Sequence, residues 1–211
     1  MMLDLSGLPV FLFASLALLL TPGPAVLYIV ARSLDQGRLA GLVSVLSVEI
    51  GNSFHVIAAT LGVSALLLSS SLAFSVVKYL GAAYLVYLGL RKLFSAAELQ
   101  PAALKRQSLR RIFSQGVVVA TLNPKTALFF LAFLPQFVDR SRGSVAGQML
   151  ALGCIFVMMA IVSDGLYALL AGSVGHWLKG TRSFLWAERY VAGSIYIGLG
   201  VTAAFADAGK H

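Results

Sequence analysis

The feature of this sequence that most constrains its fold is a pair of long apolar stretches that contain no charged side chain. About 27 residues separate Asp4 from Arg32, and a similar length separates Glu49 from Lys78; either can cross a bilayer core of about 30 Å. Hydrophobic residues make up 59% of the chain and charged residues 11%, less than half of the roughly 25% usual in a soluble domain. A soluble enzyme and a disordered or fibrous chain are therefore excluded.

Six apolar stretches are predicted to be membrane helices. They cover Leu8–Ala31, Leu39–Leu68, Leu72–Leu90, Ile112–Val138, Val145–Val174 and Tyr190–Ala206. About 11 basic residues fall in the first, third and fifth connections and about four on the other side, so the positive-inside rule places the odd-numbered connections in the cytoplasm and both termini outside. Because the net charge of +8 follows this loop pattern, we expect contact with the lipid bilayer and none with nucleic acid.

An internal repeat relates the two halves of the chain. Thr21 and Pro24 in the first stretch recur as Thr121 and Pro124 in the fourth, and a weaker match relates the ends of stretches three and six. Three spans per repeat is an odd number, so the halves are inverted in the membrane, as in many secondary transporters. We expect an all-α integral membrane fold with six transmembrane helices in two inverted three-helix repeats, the first helix of each broken by proline. The single transporter domain, 1–211, then comprises repeat 1 at about 8–93, a basic cytoplasmic loop at 94–111 and repeat 2 at about 112–206.

Proline lies in the middle of the first helix of both repeats. Each proline lacks an N–H group and clashes with the preceding turn, so the helix should break or kink there. A half-helix that begins at each proline would point its free N–H groups and positive dipole end at the membrane centre, where they favour an anionic group. A purely structural kink is the alternative. The substrate-binding residues predicted at the breaks are Thr21, Pro22, Gly23, Pro24, Asn123 and Pro124.

Ionisable side chains inside the spans are the other candidates, because a charge at mid-membrane costs roughly 3 kcal/mol or more. Lys125 directly follows the second break and either reinforces a positive substrate site or forms a structural ion pair with Asp164. Asp164 is the only charge in its stretch and is expected to bind a substrate ammonium or to carry a proton. A buried structural carboxylate is the alternative.

A third group of polar residues lies on one face of the second stretch. Glu49, Asn52 and His55 are spaced at i, i+3 and i+6, and the repeat offset places this segment opposite Asp164. Asn52 is a predicted substrate ligand. His55 is a plausible proton carrier or a packing residue, and Glu49 is either a gating charge or an interfacial carboxylate.

Six short motifs follow one another along nearly the whole chain. They are Thr21-Pro22-Gly23-Pro24, Ser33-x-x-x-Gly37-x-x-x-Gly41, Gly51-x-x-x-His55, Gly81-Ala82-Ala83-Tyr84-Leu85, Asn123-Pro124-Lys125 and Leu134-Pro135-Gln136-Phe137. In this order they resemble the LysE/RhtB amino-acid exporter family. The resemblance implies a bacterial inner-membrane protein that exports amino acids or close derivatives, such as homoserine, threonine, leucine or lysine, driven by the proton gradient. Glu49 departs from the family pattern, where a small or apolar residue is usual, and an extra carboxylate suits a cationic amino acid.

We therefore expect a proton-coupled exporter that works by alternating access, with an amino acid and protons as its partners. No cofactor, metal ligand or catalytic residue is predicted, and a homo-oligomer is compatible with the pattern. Two alternatives stay open: an exporter of divalent metal or another small solute with the same fold, and a structural membrane protein that transports nothing. An intramembrane enzyme is disfavoured, since Asp164 with Ser163 and His55 with Ser53 have no recognisable catalytic spacing.

Overall fold

The computed structural model of the chain describes residues 6–63, 71–94 and 106–174, together with residues 190, 194, 197, 198 and 201. Within these residues the secondary structure is entirely helical, which confirms the all-α prediction for this part of the chain. The sixth predicted span lies almost wholly outside the described residues, as does most of the loop at 94–111. The α-helices of the described ranges are α1 (Leu8–Leu20), α2 (Pro24–Gln36), α3 (Arg38–Ala58), α4 (Ser71–Phe94), α5 (Leu109–Thr121), α6 (Pro124–Leu128) and α7 (Val145–Val174).

Two of these helices are long and apolar enough to cross a membrane by themselves. One is α3 with its π-helical continuation, Arg38–Gly62, and the other is the segment Val145–Ala171 of α7. The pair α1–α2 and the pair formed by α5 with Pro124–Phe137 also qualify, although they bend by 49° and 41°. By length and composition, the described residues therefore contain two to four membrane-spanning units. Large apolar side chains such as Phe54 and Met158 point outward, as expected of helices that face lipid.

Both proline breaks interrupt the helix and do not merely curve it. Helix α1 ends at Leu20, residues 21–23 are not helical, and α2 starts with Pro24 at its first position, where the missing N–H costs nothing. The second break has the same form, since α5 ends at Thr121 and α6 starts at Pro124. Asn123 caps α6 by accepting a backbone N–H of the first turn with its side-chain oxygen, a common way to begin a helix.

Helix α3 lies at the centre of the described bundle and packs against α2, α5 and α7. Glycines allow the closest approach of α3 to α7. A Cβ atom added to Gly41 of α3 would crowd Ala168 of α7, and one added to Gly153 of α7 would overlap Val56 of α3. Small residues at such crossings let the backbones of membrane helices come into contact.

A cluster of phenylalanines joins α1, α7 and the residues that follow α6. Their rings lie in tilted or edge-to-face pairs with centroids 5.0 to 6.3 Å apart, a geometry that adds about 0.5–1.5 kcal/mol per pair beyond the buried area. This cluster fixes the helical segment that follows the second break. Its members are Phe11, Phe129, Phe130, Phe133 and Phe156.

Arg32 at the far end of α2 differs from the sequence prediction, which counted it among the charges of a connecting loop. The side chain is 4% exposed. Its guanidinium donates to the side-chain oxygens of Gln36 and Gln115 and lies 5.5 Å from the centre of the Tyr28 ring. These groups replace water as partners of the guanidinium, so the arginine can be buried. Its hydrogen bond to Gln115 links α2 to α5.

Candidate functional site

One small cavity lies between the two helix breaks. Its volume is about 20 Å³, enough for a single water molecule and too small for an amino acid. Gly23, Ala25 and Val26 line it from the first break, and Asn123, Lys125 and Thr126 line it from the second. The remaining lining residues are Leu18, Leu19, Asn52, Phe156 and Asp164. The structure thus brings together Gly23, Asn52, Asn123, Lys125 and Asp164 of the substrate-binding residues expected from the sequence.

Lys125 connects the second break to the first. Its side chain is 7% exposed, and its ammonium group donates to the backbone carbonyl of Thr21 at 2.5 Å. In a continuous helix this carbonyl would accept the N–H of Ala25, but the break removes that bond. The ammonium also interacts electrostatically with Asp164. Lys125 therefore supplies a buried positive charge to the cavity and a hydrogen bond to the interrupted backbone.

The carbonyl groups four residues before the two helix-starting prolines are also satisfied by side chains. A carbonyl in an α-helix normally accepts the N–H four residues further on, and proline has none. The Tyr167 hydroxyl donates to the Leu20 carbonyl at 2.9 Å. The His55 Nε2 atom lies 3.0 Å from the Ala120 carbonyl, which also accepts the N–H of Asn123. Helices α7 and α3 thus each stabilise one break.

Several other predicted site residues do not line the cavity. His55 turns toward α5 and stacks on Phe130 with ring centroids 6.4 Å apart. Thr21 is fully buried, and its hydroxyl donates to the carbonyl of Ala17. Pro22, Pro24 and Pro124 shape the backbone around the cavity without contributing to its lining.

Two carboxyl groups meet beside the cavity. Glu49 is 4% exposed and Asp164 3% exposed, and the two side chains interact with each other. One Glu49 oxygen, Oε2, accepts from the Asn52 amide at 3.1 Å. In the described part of the chain, Glu49 Oε1, Asn52 Oδ1 and Asp164 Oδ1 have no donor. Buried acceptors are rarely left in this state, so this side of the cavity is suited to a ligand that donates hydrogen bonds.

Tyr167 and the contact between Glu49 and Asp164 are missing from the sequence-based site. Helical spacing identifies a common face, but it does not reveal which helix that face packs against. A usable signal for Tyr167 is its position three residues after Asp164, on the same face of α7. The arrangement as a whole places a cation and an acceptor-rich region in one enclosure. Such a site can hold a small molecule that carries both signs of charge.

Comparison with known proteins agrees with the family resemblance of the sequence motifs. A model of the family described as LysE type translocator matches residues 16–206. The chain is 30% identical over 197 residues to a homoserine/homoserine lactone efflux protein of Salmonella typhimurium, covering 93% of this chain and 95% of that protein. It is also 30% identical over 200 residues to an uncharacterized membrane protein of Vibrio cholerae, covering 94% of this chain and 96% of that one. No solved structure gives a significant match.

Proposed function

Because the chain belongs to the LysE type translocator family, whose members are transporters and not enzymes, we propose that it exports a small amino acid of the homoserine type across the bacterial cytoplasmic membrane. The Salmonella relative is named for efflux of homoserine and its lactone. The observation that carries the proposal is that the Lys125 ammonium and the Asp164 carboxyl group line one buried cavity. An amino acid is a zwitterion, and it matches such a site at both of its charged groups.

In the proposed complex the substrate carboxylate lies between the Lys125 ammonium and the first turn of α2. No side chain caps this 13-residue helix, because its N-cap residue is Gly23, so the free N–H groups of the first turn remain available to an anion. The substrate ammonium lies against Asp164 Oδ1 and Asn52 Oδ1. Neither of these two oxygens has a hydrogen-bond donor within the described residues. Each buried charge would then be paired, as low-dielectric surroundings require.

We propose that the protein works by alternating access, and the size of the cavity supports this. A space of about 20 Å³ does not admit the substrate, so we assign the described conformation to a closed stage of the cycle. Movement at the two breaks would open the site to one side and then to the other. The charge pattern of the loops places the first, third and fifth connections in the cytoplasm and both termini outside, with protons moving inward as the amino acid leaves.

Contacts between α3 and α7 support the proposed inverted repeat. Gly41 packs against Ala168, and Gly153 packs against Val56. Adding about 112 residues to Gly41 gives Gly153, and adding the same number to Val56 gives Ala168. The two contacts are therefore reciprocal, as expected if a twofold axis in the membrane plane relates the helices.

The residues around the breaks follow the same offset. His55 of α3 contacts the Ala120 carbonyl at the second break, and Tyr167 of α7 contacts the Leu20 carbonyl at the first. Asn52 and Asp164, separated by the same offset of about 112, both line the cavity. This pairing supports a site that the two repeats build jointly, with a neutral amide from one and a carboxyl group from the other.

The test of the proposed function is efflux of labelled homoserine from cells that produce the wild-type protein or Lys125→Met at matched membrane levels. We expect the variant to lose at least about tenfold in rate, because a site without the ammonium lacks about 1.4 kcal/mol or more of substrate binding. Arg110→Met is the matched control, since it removes one positive charge from an exposed position on α5. Export by Lys125→Met at the wild-type rate would refute the proposed site, and absence of export by the wild type would refute the proposed substrate.

A further inference from the structure

We propose that Glu49 and Asp164 form a single proton-binding site, in which one proton shared between the two carboxyl groups competes with the substrate ammonium. This inference rests on the proposed function and identifies the group that couples export to the proton gradient. Its starting point is geometric. Two carboxyl groups, each more than nine-tenths buried, lie on α3 and α7 beside the same amide. Glu49 accepts a hydrogen bond from Asn52, and Asn52 lines the cavity together with Asp164, so the two carboxyl groups interact.

Ionised carboxylates cannot bond to each other, because both offer only acceptors. A proton placed between them converts one into a donor and joins them by a short, charge-assisted hydrogen bond. The two oxygens without a donor, Glu49 Oε1 and Asp164 Oδ1, show that the described chain does not satisfy the fully ionised pair. The pair therefore has room for one more hydrogen-bond donor, and a shared proton is the smallest group that supplies it.

Within the described residues, the other titratable groups near Glu49 and Asp164 have partners of their own or point away from the pair. Lys125 and Tyr167 are the neighbours that interact electrostatically with Asp164, and the Lys125 ammonium is directed at the Thr21 carbonyl. The other titratable groups of the adjacent helices point elsewhere, and α1 has none. On α2, Tyr28 donates to the Ile112 carbonyl and Arg32 to Gln36 and Gln115, while His55 of α3 contacts the Ala120 carbonyl.

Competition between proton and ammonium produces antiport. When the substrate enters from the cytoplasm, its ammonium takes the place of the shared proton, which leaves to the cytoplasm. When the substrate leaves on the outer side, a proton from that side returns to the pair and the closed conformation forms again. Each cycle moves one amino acid out and one proton in. Glu49 is thus a coupling residue that is buried inside the protein.

The experiment measures the coupling ratio in liposomes that contain purified protein, with the membrane potential clamped at zero. For each imposed pH gradient, one finds the homoserine gradient at which net flux stops. One proton per substrate requires the balancing gradient to change by about tenfold per pH unit, since both free energies are then equal. We expect this ratio for the wild type and no change with pH for Glu49→Gln, whatever the absolute rate. Glu49→Asp should restore the tenfold ratio, and Asp35→Asn, which removes an exposed carboxylate at the end of α2, should retain it.

Each outcome is decisive. A tenfold ratio that persists in Glu49→Gln would overturn the shared-proton site, and so would a wild-type ratio of one or of about a hundred per pH unit. A Glu49→Gln protein that does not fold elutes as an aggregate from gel filtration, in which case the wild-type and Glu49→Asp ratios carry the test. Wild-type liposomes without any homoserine flux would instead refute the proposed function, so the two failures are distinguishable.

Discussion

Replacing Tyr167 by phenylalanine removes one hydroxyl group and leaves the ring in place. That hydroxyl donates to the Leu20 carbonyl, whose normal helical partner is the nitrogen of Pro24. Within the described residues the Leu20 carbonyl has no other donor, and no water is available in the hydrocarbon region of a membrane to replace it. The variant therefore leaves a backbone acceptor unsatisfied at the first break.

Tyr28→Phe provides a matched comparison on the neighbouring helix. Its hydroxyl also donates to a backbone carbonyl, that of Ile112, at 2.6 Å. Ile112 lies inside α5, so its carbonyl keeps the helical bond from the Gly116 N–H when the tyrosine hydroxyl is lost. The two variants thus delete the same chemical group and differ in what remains at the acceptor.

The expected costs differ accordingly. An acceptor left without any partner costs about 1–3 kcal/mol, whereas an average side-chain hydrogen bond in a membrane protein contributes about 0.6 kcal/mol. We expect Tyr167→Phe to lower the free energy of unfolding by about 2 kcal/mol and Tyr28→Phe by about 0.6 kcal/mol. Reversible denaturant unfolding in detergent micelles measures both. Equal losses, or a larger loss for Tyr28→Phe, would refute the idea that side chains of the opposite repeat stabilise the breaks.

Two further predictions concern packing and the turn before α7. Gly51→Ala should destabilise the protein by about 1–3 kcal/mol, because the added Cβ would crowd Ala120 and the backbone of α5. Gly165→Ala, which has open space, should be neutral or slightly stabilising in the same unfolding assay. In the turn, hydrogen bonds from the Ser141 hydroxyl and N–H hold the pKa of Asp139 below its ordinary value. Their stabilising effect should be complete above the ordinary pKa and fade as pH falls through the lowered one. Protection of the Ser141 amide from hydrogen exchange should therefore be lost once Asp139 is protonated, and protection that persists in the protonated state would contradict this.

The sequence predicts the helical class and the two breaks well, because both depend on local chemistry. Apolar length identifies a span, and proline interrupts a helix wherever it lies. It also places Lys125 and Asp164 in a common site, since a charge inside an apolar stretch needs a partner. These inferences require no knowledge of how the helices are arranged.

Contacts between distant helices are the part that sequence reasoning cannot supply. His55 is either a proton carrier or a packing residue from its position alone, and only the structure shows that its ring contacts the Ala120 carbonyl. Arg32 reads as a loop charge, yet two glutamines and a tyrosine ring surround it. In both cases the partner lies on another helix, and helical periodicity specifies a face without specifying its neighbour.

The two carboxyl groups that meet in the core belong to helices made at different times. About 115 residues separate Glu49 from Asp164, and a ribosome that adds about 5–20 residues per second needs roughly 6 to 23 s to synthesise them. During this interval α3, the less apolar of the two independent spans, must enter the membrane with its acidic side chain unaccompanied. A carboxylate near the middle of an inserting helix adds a free-energy cost of up to about 3 kcal/mol. We therefore expect a stage of biogenesis in which α3 is held by the insertion machinery, or by the helices made before α7, until α7 arrives.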